Sequence, residues 1–169
     1  MHKYYIMTNL HKLENKWSLW FHKINDHNYT LSGYNKIYEF DKVEYFIKLY
    51  REINNFSAGM FFLMKDDIKP MWEDEKNIKG GCWSFKVLKK NINSLWYNLS
   101  ILIISNNILE TMEDHKFING ISLSPKINNC IIKIWFSKEL NNVNIFKLDY
   151  LKKKLDDLNF EEARYVKHK

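Results

Sequence analysis

Residues 70–76 read PMWEDEK, and Trp72 and Glu73 stand side by side there with no glycine and no histidine in the stretch. An indole face beside a carboxylate suits a particular ligand. A neutral purine stacks only moderately on indole, whereas a purine made cationic by alkylation at N7 stacks better, because its positive ring faces the quadrupole of the aromatic. A neighbouring carboxylate accepts two parallel, charge-assisted hydrogen bonds from the N1–H and N2–H2 edge of a guanine, and the positive charge strengthens those donors. Trp-Glu in a loop therefore fits 7-methylguanine. The same dipeptide also fits a buried loop tryptophan followed by a solvated acidic turn. Glu73, Asp74 and Glu75 have the oxygen chemistry for Mg²⁺ near phosphates. No nucleophile–base pair and no phosphate loop accompany them, so the residues point to recognition without catalysis and without a cofactor.

The chain around this stretch has 169 residues and a formal charge of +6, with 46% hydrophobic and 16% aromatic residues. That length suggests one domain, 1–169, able to bury a core, and the composition is globular. The basic excess favours anionic partners, of which nucleic acid is the commonest. Cys82 and Cys130 stand alone, without a CxxC, which predicts neither a zinc site nor a disulfide and fits a reduced cytoplasmic setting. The histidines show no metal-binding spacing. The first residues are too polar for a signal peptide, and no apolar run reaches membrane-span length. Nothing points to oligomerisation, so a monomer is expected. The abundance of Asn, Ile and Lys reads as the bias of an AT-rich genome, as in a large DNA virus or a protist.

The elements that must position Trp72 and Glu73 follow from periodicity. KWSLWFHK (16–23) reads as a strand, residues 24–36 as a polar loop and 36–40 as a short strand. Asp41 opens a helix through a capping box with Glu44. Val43, Phe46, Ile47, Tyr50 and Ile53 then form one helical face. MFFLMK (60–65) reads as a buried strand, 66–79 as a long polar loop and 80–88 as a strand. Asn93 or Ser94 caps a second helix with Leu95, Leu99, Leu102 and Ile103 on its apolar face. Residues 116–123 and 130–137 form a hairpin turning at 125–129. Asn142 caps a third helix to about Leu155, and a last strand runs through 160–166. Strands that follow one another directly predict an α+β domain: a curved, largely antiparallel sheet with three helices on the convex face and a free concave face.

Three longer motifs occur in order: HKLENKWSLWF (11–21), FDKVEYF (40–46) and PMWEDEKNIKGGCW (70–83). With GISLSPKINNCIIKIW (120–135), they resemble the eukaryotic translation initiation factor 4E family across nearly the whole chain. The resemblance implies a sheet cupped around the 7-methylguanosine cap of mRNA, a role in translation initiation, and a base sandwiched between two aromatic rings. It makes Trp72 one ring, Glu73 the acceptor of the guanine edge and Trp135 the ring against the N7-methyl. Trp17, Trp20, Trp83 and Trp96 match the family's structural tryptophans.

This sequence departs from the family's pattern at several places. The second sandwich ring is usually a Trp in the first long loop; here the aligned residue is Thr30, with Tyr29 beside it as first choice and Tyr34 as second. Lys126 aligns with a phosphate-gripping Arg, while two further basic positions are Ile131 and Cys82. Lys133 shares the strand face of Ile131 and is expected to substitute, and the basic end RYVKHK (164–169) is within reach of the same phosphates. On the dorsal surface, where the family takes a peptide of the initiation factor 4G scaffold or of repressors, His11 and Val43 are kept. Ile47 replaces a Trp there, and Tyr97 and Asn98 replace Leu and Glu, with Ile101 nearby. Loss of the large ring predicts weak binding of an ordinary 4G peptide and an apolar patch suited to a different partner. A cap-binding repressor, or a virus- or parasite-specific factor with its own partner, is thus the alternative role.

Overall fold

A computed structural model describes residues 10–53 and 55–168. Its elements are β1 (Lys12–His22), β2 (Asn35–Lys42), α1 (Val43–Glu52), β3 (Met60–Lys65), β4 (Gly81–Leu88), α2 (Ile92–Ile104), α3 (Met112–His115), β5 (Ile118–Pro125), β6 (Asn129–Phe136), α4 (Leu148–Lys154) and β7 (Arg164–Lys167). The seven strands form one sheet in the order β2-β1-β3-β5-β6-β4-β7, and every neighbouring pair is antiparallel. The α+β class and the curved sheet with three longer helices are as expected; the one-turn α3 is additional.

Register explains how each face is built. Leu19, Leu63, Ile121, Ile134, Trp83 and Tyr165 oppose one another in turn across β1, β3, β5, β6, β4 and β7. This row belongs to the main core, which also takes Phe46 and Leu49 of α1, Trp96 and Leu99 of α2 and Leu151 of α4. Side chains alternate along a strand, so the next row faces the other way: Trp20, Phe62, Ser122, Lys133, Ser84 and Arg164. Beside it runs Ser18, Met64, Gly120, Trp135, Cys82 and Val166. These two rows line the helix-free face. Trp20, Phe62, Met64, Cys82 and Trp135 from these rows, joined by Ile68 of the loop after β3, form a second, small cluster, with Tyr34 and Met60 against it. Residues 60–64 (MFFLM) are apolar throughout because both faces of the strand are covered, Phe61 and Leu63 by one cluster and Phe62 and Met64 by the other.

Three helix starts differ from expectation. Asp41 lies in β2, and α1 begins after Lys42 with no side-chain cap. The carboxylate of Glu44 accepts instead from the His11 backbone N–H, 3.0 Å away, and meets its Nδ1 at 2.6 Å. Neither Asn93 nor Ser94 caps α2, which starts at Ile92 out of a 3₁₀ turn; Asn93 Oδ1 accepts from the Phe56 amide instead. Asn142 does cap, accepting from Asn144 N–H, but it opens only the 3₁₀ turn Val143–Ile145. The chain is then pulled into a bridge between Leu109 and Phe146, and Lys147 N–H donates to Ile108, so α4 starts at Leu148. Phe160, expected in the last strand, packs into the core ahead of β7.

Candidate functional site

The loop between β3 and β4 carries Trp72 and Glu73, and short-range polar bonds fold it on itself. The Asp74 carboxylate accepts from the amides of Lys69 and Lys76 at 3.2 and 2.9 Å. Asn77 is fully buried. Its Nδ2 donates to the carbonyls of Lys69 and Met71 at 3.1 and 2.7 Å, and its Oδ1 accepts from Asn119 Nδ2 of β5 at 2.8 Å. A buried amide with all of these partners holds the loop's shape and ties it to the sheet. Gly80 ends the loop where it presses on β6: a Cβ there would lie 1.8 Å from the Phe136 carbonyl oxygen. The last described residue closes the base of the loop. His168 N–H donates to Gly80 O at 3.0 Å and its Nδ1–H to Asn77 O at 2.7 Å.

On this clamped loop the Trp72 ring is 44% exposed, unusual for so large an apolar group held by ordered backbone. It lines a cavity of about 320 Å³ with Trp135, Lys133, Cys82, Val166 and His168. Trp135 is 6% exposed and donates from Nε1 to Ser122 Oγ at 2.9 Å, which fixes the ring plane; its neighbour in register, Gly120, leaves it room. The His168 ring lies 5.0 Å from Trp135, and its Nε2 is buried without a hydrogen-bond partner. Burial, reinforced by the Lys133 ammonium, pushes the His168 imidazole pKa down, and burial pushes the Cys82 thiol up, so both stay neutral.

Glu73, Tyr34, Tyr29 and Lys126 are not among the residues that line this cavity. Glu73 is exposed and lines a separate cavity of about 430 Å³ with Leu31, Met71 and Asp74. Tyr34 packs edge-on against Phe62; burial, with the charges of Glu73 and Tyr29 adding, pushes its phenol up to about 12. Tyr34, Glu73 and Tyr29 thus share one corner. Tyr29 is 54% exposed and stacks in parallel on His22, centroids 5.0 Å apart, while His22 is held against the carbonyls of Lys23 and Asn28. The ring therefore has one face backed and the other open. Lys126 stands apart, at the β5–β6 turn, lining a third cavity of about 620 Å³ with Lys89, Ile24 and Ile127. Lys133 is with the rings; Lys126 is not. Lys169 of the basic end lies outside the described residues.

On the helix side, Ile47 and Tyr97 line a groove of about 430 Å³ with Tyr50, Arg51, Ile53 and Phe56. Tyr97 stacks on Phe46 at 5.7 Å, and Ile101 packs half-buried against the core. Val43 and His11 meet at the start of α1, where Val43 N–H donates to His11 O at 2.9 Å. Among the described residues there is no metal-ligating cluster, and no helix is long and apolar enough to cross a membrane.

An open antiparallel sheet with helices on one face, and with ordered rings, a carboxylate and cations on the other, defines an α+β protein with one bare sheet face. Residues 12–169 match the family model described as eukaryotic initiation factor 4E. The chain belongs to that family. It is 32% identical over 133 residues to the eukaryotic translation initiation factor 4E of Xenopus laevis, covering 74% of this chain and 61% of the relative. It thus spans about three fifths of the length of the curated relatives it matches. Ascaris suum eIF4E-3 in complex with an m2,2,7G cap is 30% identical, with a TM-score of 0.80, covering 95% of this chain and 93% of that one. Caenorhabditis elegans eIF4E-3, solved with the 4E-binding protein Mextli, is 28% identical, with a TM-score of 0.78 and coverage of 95% and 94%.

Sequence reasoning passed over Asn77, Asn119, His22 and His168 as parts of the site. Asn77 stands inside the third motif, at fixed distance from Trp72 and from Gly80–Gly81, and that spacing was the available signal. Asn119 and His168 find carbonyl partners 43 and 91 residues away in sequence, and His22 bridges Lys23 to Asn28 across the loop, which no local pattern reveals.

Proposed function

We propose that this single domain, 1–169, binds the 7-methylguanosine cap of mRNA in translation initiation. The carrying observation is the exposed Trp72 ring on a loop clamped by Asn77, opening onto the cavity it shares with Trp135 and Lys133. In this reading the cationic base stacks on Trp72, and Glu73 accepts from its N1–H and N2–H2 edge. Trp135 lies against the N7-methyl, and Tyr29 supplies the second ring. Tyr29 is favoured over Tyr34 because it offers an open face, whereas Tyr34 is packed edge-on against Phe62. Lys133 takes the nearest phosphate, and Lys126 reaches the cap only through phosphates further along. The chain acts by recognition, not as an enzyme, as a monomer and in the cytoplasm. The Ascaris relative solved with a cap supports this assignment.

The helix-side groove with Ile47 and Tyr97, beside His11, Val43 and Ile101, is the proposed seat of a protein partner. That partner is a scaffold of the initiation factor 4G type or a dedicated substitute. The nematode relative solved with Mextli supports a partner of this class. Because Ile47 offers a small apolar contact, the second reading is a cap-binding repressor or a factor with a non-standard partner.

The test is a tryptophan-fluorescence titration with 7-methyl-GTP and with GTP at one fixed salt concentration. Stacking on Trp72 quenches emission, and the methylated nucleotide is expected to bind at least about ten-fold more tightly. Equal binding of the two, or binding of neither, sinks the assignment.

A further inference from the structure

The bare face of the sheet is electrically divided. Toward β1 and β2, Lys16 is 3.2 Å from Asp67 and Lys36, which lies over the Trp20 ring, is 3.1 Å from Glu39. Strands β4, β5, β6 and β7 contain no Asp or Glu at all. Their cations are Lys86, Lys133, Arg164 and Lys167. Lys167 is paired with Glu139 at 3.0 Å, whereas the other three have no ion-pair partner among the described residues.

Alternation settles where those three point. Trp83, Phe85 and Val87 of β4 and Cys130, Ile132 and Ile134 of β6 face the main core, and Tyr165 of β7 packs edge-on against Trp83. Lys86, Lys133 and Arg164 therefore stand on the bare face. Register sets their spacing: Lys133 and Arg164 both oppose Ser84, and Lys86 is two residues further along β4, opposite Ile131. Strands about 4.8 Å apart rising about 3.4 Å per residue place the three on a triangle with sides of roughly 8–10 Å. Like charges gathered in this way work against folding, and no acid among the described residues pairs with them. Lys133 also lines the Trp72–Trp135 cavity, and Lys86 leads on toward Lys89 and Lys126 at the β5–β6 turn.

We propose that Lys133, Arg164 and Lys86 form a track for single-stranded RNA, taking the phosphates of the nucleotides that follow the cap. The track rests on the cap-binding reading for its direction, since Lys133 marks its start. RNA fits better than a lipid surface because the cations lie in the hollow of the sheet, continuous with a ring-lined cavity. Strand-borne cations hold the chain by charge and leave base sequence unread.

The experiment titrates the full chain with three probes between 50 and 200 mM KCl: 7-methyl-GTP, a capped unstructured ten-nucleotide RNA, and the same RNA uncapped. Each phosphate contact on a single strand contributes about −0.7 to the slope of log K against log salt. The capped RNA is expected to bind more tightly than 7-methyl-GTP at low salt, with a steeper slope. The double variant Lys86→Gln, Arg164→Gln should flatten that slope by about 1.4, a change of about sevenfold in relative affinity across the salt range, and weaken the capped RNA more than 7-methyl-GTP. Equal slopes for the capped RNA and 7-methyl-GTP overturn the track. So does a double variant that weakens both probes by the same factor, because the cations then hold the cap's own phosphates. If the capped and uncapped RNAs bind alike, the cap reading fails while the track is judged on the uncapped slope. A slope that the double variant flattens supports it, and an unchanged one overturns it.

Discussion

The two faces of this sheet are made from the same strands and do different work. The helix side closes over Trp17, Trp96, Phe46, Phe56 and Phe85, all at most 2% exposed, in one continuous cluster. The bare side has a cluster of six buried apolar residues, and around them it leaves Trp72 and Tyr29 open and Lys86, Lys133 and Arg164 with no ion-pair partner among the described residues. One face is spent on stability. The other keeps rings, a carboxylate and ammonium groups available, held by polar bonds among loops. Substitutions on the two faces should therefore separate into losses of fold and losses of ligand.

The largest expected effect sharpens that contrast. Trp96→Ala on α2 removes a fully buried indole and should lower stability by about 3–5 kcal/mol in denaturant titration. Trp72→Ala removes a ring that is nearly half exposed and should shift stability by less than about 0.5 kcal/mol, while abolishing quenching by 7-methyl-GTP. If Trp72→Ala unfolds the chain, or Trp96→Ala leaves it intact, the division of labour is wrong.

The next effect lies on the boundary between the faces. Asn77 is buried like a core residue but bonded like a loop residue. Asn77→Ala leaves the carbonyls of Lys69 and Met71 and the Asn119 amide short of partners. Each orphaned group costs about 1–3 kcal/mol, so a fall in melting temperature of several degrees is expected. Affinity for 7-methyl-GTP should fall as well, measured at a temperature where the variant is fully folded. Unchanged affinity in the folded variant would show that the loop keeps its shape without Asn77.

How much of this was legible depended on the range of the interaction. Strands were readable because alternation is local: the doubly covered MFFLMK and the β5–β6 hairpin lie where their patterns place them. Helix starts were not, because their caps are spent elsewhere: Glu44 reaches His11, 33 residues away, and Asn93 reaches Phe56, 37 residues away. The site divides in the same way. Trp72, Trp135 and Lys133 could be placed on one face from motif and parity. The separation of Lys126 into another cavity, and the backing of Tyr29 by His22, depend on how loops fold over the sheet edge. His168 was legible only as one more charge in a basic tail, yet its neutral ring is what the loop is tied to.

The smallest effect tests that tie through its pH dependence. His168 donates from Nδ1 to Asn77 O, while its Nε2 is buried without a partner beside Trp135. The groups around it are Lys133 of β6, Cys82 of β4, and the preceding Lys167 at the end of β7, which is paired with Glu139. None offers an acceptor to a second imidazole proton, and burial together with Lys133 holds the pKa below its ordinary value of 6.5. A histidine released from this seat takes up a proton first as pH falls. The clamp is therefore fully present above pH 6.5 and is lost as pH falls from there through the lowered value. At pH 7.5, His168→Ala should weaken 7-methyl-GTP binding by roughly 2- to 10-fold, the range of one hydrogen bond. As pH is lowered toward 5, the wild type should converge on that variant, and exchange of the Asn77–Gly80 amides should quicken. His168→Gln, which can donate to Asn77 O but does not titrate in this range, should keep its advantage over His168→Ala at every pH. A wild type that holds its lead down to pH 5, with slow amide exchange throughout, would mean that the end of β7 packs beside the loop without holding it.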